Sequence, residues 1–225
     1  MAGADGRLPV SAAGRSAAAE ARAIRRRARR GVWRRVTAWA GLNPEAVRAD
    51  AVAARWTRGA EAEKHTAAML RGLPKGWHVF HDRQLPGSRA NLDHVLVPPN
   101  GAAVVVLDTK QWHAAWLTRL TSDGRVVCGL EDRHEQVVKV AGYAERVARA
   151  VGVPAAAVWP LLVIHGSAIA GGRLEARVSG WPGPVHVLGP RFLVPTLAAA
   201  PTGIDRRAAA VLAARVAEVL PPYRP

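Results

Sequence analysis

Two acidic residues and a lysine interrupt the most apolar stretch of the chain, ANLDHVLVPPNGAAVVVLDTK at residues 90–110. Asp93 lies in its first apolar run, and Asp108 and Lys110 end its second. Side chains two positions apart on a β-strand point to the same face, so Asp108 and Lys110 share a face and Thr109 points away. The Pro-Pro-Asn-Gly segment between the runs predicts a turn, which would pair the two strands and bring Asp93 close to Asp108.

Two neighbouring buried carboxylates need a positive partner, because burial and mutual repulsion both disfavour their charged forms. A divalent metal provides that charge, and Mg²⁺ is typically held by one or two carboxylates together with water and substrate phosphate. Lys110 could then orient or help deprotonate a metal-bound water. Such a site suits the hydrolysis of a phosphodiester, since the ion generates the nucleophile and stabilises the developing charge. The alternative interpretation is a structural ion-pair cluster at a strand end.

Two further polar residues are placed by helical periodicity. Glu63 shares an otherwise apolar face of a helix predicted over 57–72, so its carboxylate is expected to point inward. Gln136 lies in the first turn of a long amphipathic helix predicted over 133–151. Its amide could hydrogen-bond a ligand or hold a metal-bound water, or it could simply be solvated.

The elements that must position these side chains alternate between helices and strands. This order predicts an α/β domain with a mixed central sheet flanked by helices, over residues 56–225. Strands are predicted at 77–82, 92–97, 103–110, 114–120, 125–130, 159–166 and 184–190, and helices at 57–72, 133–151 and 204–220, with a short helix or turn broken at Pro195 over 191–200.

Residues 1–55 form an Ala/Arg-rich basic extension before this domain. Residues 1–15 are small, polar and aperiodic, which predicts disorder. Residues 16–41 predict a basic amphipathic helix that could lean on the domain, lie on a membrane surface or contact nucleic acid. Its central arginines are candidates for phosphate contacts. They are Arg25, Arg26 and Arg27.

The composition of the chain limits its possible binding partners and its cellular compartment. The chain has 32 basic and 17 acidic side chains and a formal net charge of +15, which favours polyanionic partners such as nucleic acid or anionic lipid. The basic residues are almost all arginine, a skew typical of GC-rich coding, so charge alone does not identify the partner. No apolar run approaches the roughly 18 residues of a membrane span. Cys128 is the single cysteine, and its isolation favours the reducing cytoplasm.

Other chemistries lack their motifs. The histidines and Cys128 do not have zinc-ligand spacing, and no GxxxxGK(S/T), GxGxxG or GxSxG sequence occurs. Two residues near the acidic pair could instead contact a nucleic acid. Arg89 precedes the strand of Asp93 and could contact a phosphate, and Trp112 could stack on a base or pack in the core.

In chain order, the segments GAEAE, LPKGWHVFHDRQLP and NLDHVLVPPNGAAVVVLDTK, followed by Gln136, resemble a NERD domain, the nuclease-related domain of many bacterial proteins. The resemblance covers about residues 55–190. It implies a fold related to the PD-(D/E)XK restriction-endonuclease-like nucleases. The sequence departs from the wider pattern at Leu92, where proline precedes the first aspartate in many relatives, and in lacking a glycine shortly after Lys110.

The resemblance implies a metal-dependent nuclease that acts on DNA more than on RNA, with Mg²⁺ or Mn²⁺ as cofactor. Glu63, Asp93 and Asp108 would be the metal ligands, with Lys110 as a catalytic residue and Gln136 as an accessory one. The alternative is a module on the same fold that binds nucleic acid or protein without catalysis, and that could dock on a membrane through residues 16–41.

Overall fold

The computed structural model describes residues 44–88, 90–199 and 203–224, together with the isolated positions 19, 22–24 and 26. The helices are α1 (Pro44–Leu70), α2 (His134–Val151), α3 (Pro190–Ala199) and α4 (Arg206–Val219). The strands are β1 (His78–Gln84), β2 (Asn91–Val97), β3 (Val104–Gln111), β4 (Leu117–Leu120), β5 (Val126–Cys128), β6 (Glu131–Asp132), β7 (Val158–His165), β8 (Ala168–Ile169), β9 (Arg173–Arg177) and β10 (Pro184–Leu188).

The main sheet has six strands in the order β1-β2-β3-β7-β10-β9. The central pairs β3–β7 and β7–β10 are parallel, and the outer pairs are antiparallel. The predicted α/β fold with a mixed sheet flanked by helices is therefore confirmed. A second sheet, β6-β5-β4-β8, was not predicted, because β6 and β8 have two residues each and show no periodicity.

The two faces of the main sheet pack against different helices. Val104 and Val106 of β3 belong to a core cluster that includes buried residues of α2 and α4. Val105 and Leu107 belong to a cluster that includes buried residues of α1 and α3. The alternation of strand side chains thus directs successive residues of β3 toward opposite helical layers.

Two helix predictions are wrong in their boundaries. Helix α1 runs without interruption from Pro44 to Leu70, whereas the sequence predicted a helix start at residue 57. Consequently α1 passes through the expected boundary between residues 55 and 56. Helix α3 also continues through Pro195, where a break was expected.

Little of the basic extension lies within the described residues. Arg26 is helical and exposed, and the positions described beside it are also helical. Most of residues 16–41, including Arg25 and Arg27, lies outside the described part of the chain, and so does Arg89. No described helix combines the length and apolarity needed to span a membrane.

The C-terminal segment after α4 runs along β1. The main-chain N–H of Gln84 donates to Pro221 O at 2.8 Å, and that of Tyr223 donates to Asp82 O at 2.8 Å. The buried Arg83 guanidinium donates from Nε to Leu220 O at 2.5 Å and from Nη2 to Ala217 O at 3.1 Å. Arg83 therefore satisfies carbonyl groups at the end of α4, where a helix lacks its own donors.

Arg83→Met should lower the free energy of unfolding by about 2 kcal/mol, because buried carbonyl groups would lose charged donors. Urea unfolding measures the change. Arg149→Met is the matched control, since Arg149 is exposed and pairs with Glu145 across one helical turn. The control should change stability by no more than about 0.5 kcal/mol. Equal effects of the two substitutions would contradict a specific role for Arg83.

Candidate active site

The register of the antiparallel strands places three aspartates side by side. His94 of β2 pairs with both His81 of β1 and Leu107 of β3. Continuing the register by one residue sets Asp93 opposite Asp82 on one side and Asp108 on the other. The expected juxtaposition of Asp93 and Asp108 thus follows directly from the strand pairing.

Asp93, Asp108 and Lys110 are joined through the main chain of Thr109. The Thr109 N–H donates to Asp93 Oδ2 at 2.7 Å, and Lys110 Nζ donates to Thr109 O at 3.2 Å. Lys110 Nζ also forms an ion pair with Asp108 Oδ2. The two carboxylates and the ammonium group therefore belong to one connected cluster at the end of β3.

This cluster opens into a cleft of about 730 Å³. Helix α1 contributes Glu63, which is 5% exposed, to the wall of the cleft. Helix α2 contributes Lys139 and Tyr143, and the C-terminal segment contributes Tyr223. The structure thus brings Glu63, Asp93, Asp108 and Lys110 to a common cleft, with cationic and aromatic side chains around them.

Burial and charge repulsion act on Asp93. Burial, followed by the nearby charge of Asp108, raises the pKa of Asp93 to about 7, although Lys110 and the Thr109 N–H favour the ionised form. For Lys110, burial would lower the pKa, but the charges of Asp108 and Asp93 outweigh it and raise that pKa above its ordinary value. One ammonium group is thus insufficient to keep Asp93 ionised well below neutral pH.

The chemistry of the donors fits a hard divalent cation. Asp108 Oδ2 is buried and contacts Lys110 as an ion pair, but it accepts no hydrogen bond of normal geometry from the described residues. Two carboxylates that line a cleft could hold Mg²⁺ when water and substrate complete its coordination. Within the described residues, no three His, Cys, Asp or Glu side chains are grouped closely enough to hold a metal. The donor set therefore centres on Asp93 and Asp108, with Glu63 on the wall.

A buried polar network lies on the opposite face of β3 and was not predicted. Thr109 Oγ1 donates to Thr66 Oγ1 at 3.2 Å, and Thr66 Oγ1 is 2.8 Å from His165 Nε2. Burial lowers the pKa of His165 to about 4, with a smaller contribution from His65, so His165 is neutral at neutral pH. The network anchors the residue whose main chain contacts both Asp93 and Lys110. The sequence signal was Thr66, which follows Glu63 by almost one helical turn on the inward side of α1.

Asp82 is a second residue that the sequence reasoning missed. It is buried, and its φ of 49° is in the left-handed region, which is unusual for a residue other than glycine. Its Oδ1 accepts a hydrogen bond from Asn91 Nδ2 at 2.9 Å, and its main-chain oxygen accepts one from Tyr223 N–H. Asp82 therefore positions two residues of the cleft wall, and its charge contributes to raising the pKa of Asp93.

Gln136 and Trp112 contact each other beside the cleft. The Trp112 indole Nε1 donates to Gln136 Oε1 at 3.0 Å, so the oxygen of the amide that could have bound a ligand or a water is engaged by an indole. Trp112 is 5% exposed and belongs to a core cluster that includes residues of β5, α2 and β7, but it also lines a recess next to the cleft. Gln136 is one helical turn before Lys139, which does line the cleft.

A mixed sheet flanked by helices makes this an α/β protein, and with carboxylates on adjacent strands facing one cleft it is consistent with a nuclease-like fold. Residues 58–165 match the family model described as NERD, nuclease-related domain. The match runs from α1 to the end of β7, a shorter range than the resemblance suggested, and leaves the C-terminal segment outside it. Comparisons with curated proteins and with solved structures gave no match.

Proposed function

We propose that this nuclease-related protein is a metal-dependent nuclease of the cytoplasm that hydrolyses phosphodiester bonds, in DNA more than in RNA. The observation that carries the proposal is the meeting of Asp93, Asp108 and Lys110 in one cleft of a NERD domain. If the cluster were only a structural ion pair, placing two incompletely neutralised carboxylates at a cleft of about 730 Å³ would not stabilise the fold.

Asp93 and Asp108 would hold the Mg²⁺ or Mn²⁺ ion, with Glu63 on the facing wall as a further oxygen donor. When bound, the ion would activate water and offset charge on the phosphoryl oxygens. Lys110 has a raised pKa and is therefore charged at neutral pH. Its role would be to donate hydrogen bonds to the attacking water or the phosphate and to stabilise negative charge, rather than to accept a proton.

The purified full-length protein should cleave DNA in the presence of Mg²⁺ or Mn²⁺, and EDTA should abolish cleavage until excess metal is restored. At subsaturating metal, the rate should fall by up to about tenfold for each pH unit below 7, because a proton on Asp93 competes with the cation. Cleavage of a labelled oligonucleotide, followed on denaturing gels at several pH values, measures both effects. Cleavage that persists in EDTA would contradict the proposal.

The second candidate is a module that binds nucleic acid or protein without hydrolysis. The observation in its favour is that no three metal-ligand side chains are grouped closely among the residues that the structure describes. This candidate predicts nucleic-acid binding without turnover at any concentration of Mg²⁺ or Mn²⁺. Direct binding measured beside the cleavage assay separates the two functions.

A further inference from the structure

A second recess adjoins the cleft. It has a volume of about 960 Å³, and it shares Arg55 and Gln111 with the cleft as lining residues. Its other walls come from Arg58 of α1, from the loop after β3 and from the residues just before α2. The cleft and the recess therefore form neighbouring parts of one surface, which we call the groove.

The recess is bordered by cations from two separate elements. Arg55 and Arg58 lie on α1, and Arg133 precedes α2. The recess also contains two acids, but both are already engaged in ion pairs. Glu131 pairs with Arg133, and Asp132 pairs with Arg125. Because the two acids are already paired, the arginines of α1 give the recess a net positive charge, which suits an anionic ligand.

Arg133 retains donor capacity inside the recess. Its Nε is buried and has no hydrogen-bond partner within the described part of the chain. Its guanidinium carbon lies 5.7 Å from the centre of the Trp112 ring, a cation–π contact that helps to hold the group at the recess. A buried donor without a partner is uncommon in folded proteins, and a small adjustment that lets it reach a phosphate oxygen would satisfy it.

Aromatic rings are exposed in the cleft and beside the recess. Trp56 of α1 is 44% exposed and lines the cleft near Arg55. Trp116 is 37% exposed, and its ring centre is 4.7 Å from that of His113, which lines the recess. Exposed aromatic faces stack on unpaired bases, whereas the bases of a duplex already cover one another. This combination of arginines and exposed indoles favours a single strand over a duplex.

We propose that the groove binds a single strand of nucleic acid, with phosphates on Arg58 and Arg133 and bases stacked on Trp56 and Trp116. This inference rests on the proposed function, which places the scissile phosphate beside Lys110. To that function it adds the class of substrate, a single strand of nucleic acid. The recess would hold the strand on one side of that phosphate, so a single-stranded or locally unpaired substrate would reach the cluster of Asp93 and Asp108.

Binding in EDTA tests this inference without requiring cleavage. Fluorescence anisotropy with the full-length protein should show that a labelled single-stranded DNA oligonucleotide binds at least about tenfold more tightly than the corresponding duplex at equal salt. Trp56→Ala should weaken single-strand binding about tenfold, and Trp56→Phe should restore most of it, because the ring is what stacks. Equal or tighter binding of the duplex would overturn the inference.

Arg58→Ala has a matched control in Arg215→Ala, since both remove one exposed arginine from a helix and Arg215 lies on α4, away from the groove. Arg58→Ala should weaken single-strand binding at least threefold more than the control does. Equal effects would indicate only general attraction to a basic protein and would overturn the assignment. If the protein prefers a single strand but does not cleave it, the proposed nuclease activity is contradicted and this inference stands. If the protein cleaves DNA but shows no preference for a single strand, this inference is contradicted and the nuclease activity stands.

Discussion

Asp108→Asn should lower the rate of metal-dependent DNA cleavage by about 10³-fold. The substitution preserves the size of the side chain but removes the charge that would hold the cation and that pairs with Lys110. Lys110→Met should have an effect of similar size, because the cluster would lose the ammonium group that compensates both carboxylates. Initial rates on an oligonucleotide at saturating Mg²⁺ measure both losses.

The stability of the metal-free Asp108→Asn variant shows whether a loss of activity comes from the removed carboxylate or from unfolding. Asp108 is one of the causes that raise the pKa of Asp93, so removing its charge relieves repulsion between two buried groups. Asp93 would still provide a counter-ion for Lys110. Relieved repulsion with Asp93 and lost pairing with Lys110 oppose each other, so the free energy of unfolding of Asp108→Asn should stay within about 1 kcal/mol of that of the wild type at neutral pH, despite the loss of activity.

Glu61→Gln is the matched control for the loss of one carboxylate. Glu61 lies two residues from Glu63 on α1, but it is exposed and pairs with Lys64 at 2.9 Å. Its substitution should change the cleavage rate by no more than about twofold. If Asp108→Asn and Lys110→Met both cleave DNA at the wild-type rate, the catalytic assignment of this cluster is wrong.

The contact between Asp93 and Asp108 could be predicted because it depends on local rules. Alternation along each strand fixes the face of a side chain, and the turn ending at Gly101 fixes the pairing of β2 with β3. Gly101 has a φ of 64°, and a Cβ there would lie 2.5 Å from the backbone of α4, so glycine suits both the turn and the packing. The order of helices and strands then predicts the mixed sheet.

The support around the cluster could not be predicted because it is made by residues distant in sequence. Thr66 and His165 are 99 positions apart, and Arg83 reaches a carbonyl 137 positions away. Tyr223 reaches the cleft through a main-chain hydrogen bond to Asp82, and neither end of that contact has a recognisable pattern. Aspartate adopts a positive φ more readily than most residues, but no pattern around Asp82 in the sequence marks it as such a position.

Helix faces were predicted better than the partners of individual side chains. Gln136 occupies the first turn of α2, as expected, but its amide binds the indole of Trp112. That contact depends on the loop after β3, whose course no periodicity describes. The same loop builds the recess, so the substrate class inferred from the recess follows from the structure and could not follow from the motif.

A buried histidine pair should make the protein lose stability as the pH falls from about 6.5 to about 4. His81 and His94 face each other across β1 and β2, with their Nδ1 atoms 2.7 Å apart. Both rings are buried, and His94 Nε2 has no hydrogen-bond partner among the described residues. One Nδ1 must donate and the other must accept, so the observed contact requires at least one neutral ring.

Burial lowers the pKa of His81 to about 4 and lowers that of His94 well below its ordinary value, with His81 contributing to the second effect. Above pH 6.5, the rings are neutral in both the folded and the unfolded chain, and the pair imposes no penalty. Between pH 6.5 and 4, the unfolded chain takes up protons that the folded chain excludes, so the free energy of unfolding decreases with decreasing pH. For His81 the full loss is roughly 3 kcal/mol, and His94 adds to it.

Asp93 acts in the opposite direction and provides a control. Its raised pKa means that the folded, metal-free chain binds a proton between about pH 7 and 3.8, which stabilises the fold as the pH falls. Asp93→Asn should therefore steepen the loss of stability in acid. His81→Gln should reduce that loss by about 2 kcal/mol at pH 5, because its amide can still hydrogen-bond His94 but does not titrate. Urea unfolding of the wild type, Asp93→Asn and His81→Gln at pH 7 and pH 5, in EDTA, measures both differences. A loss that is the same in all three would show that neither the histidine pair nor Asp93 sets the acid stability.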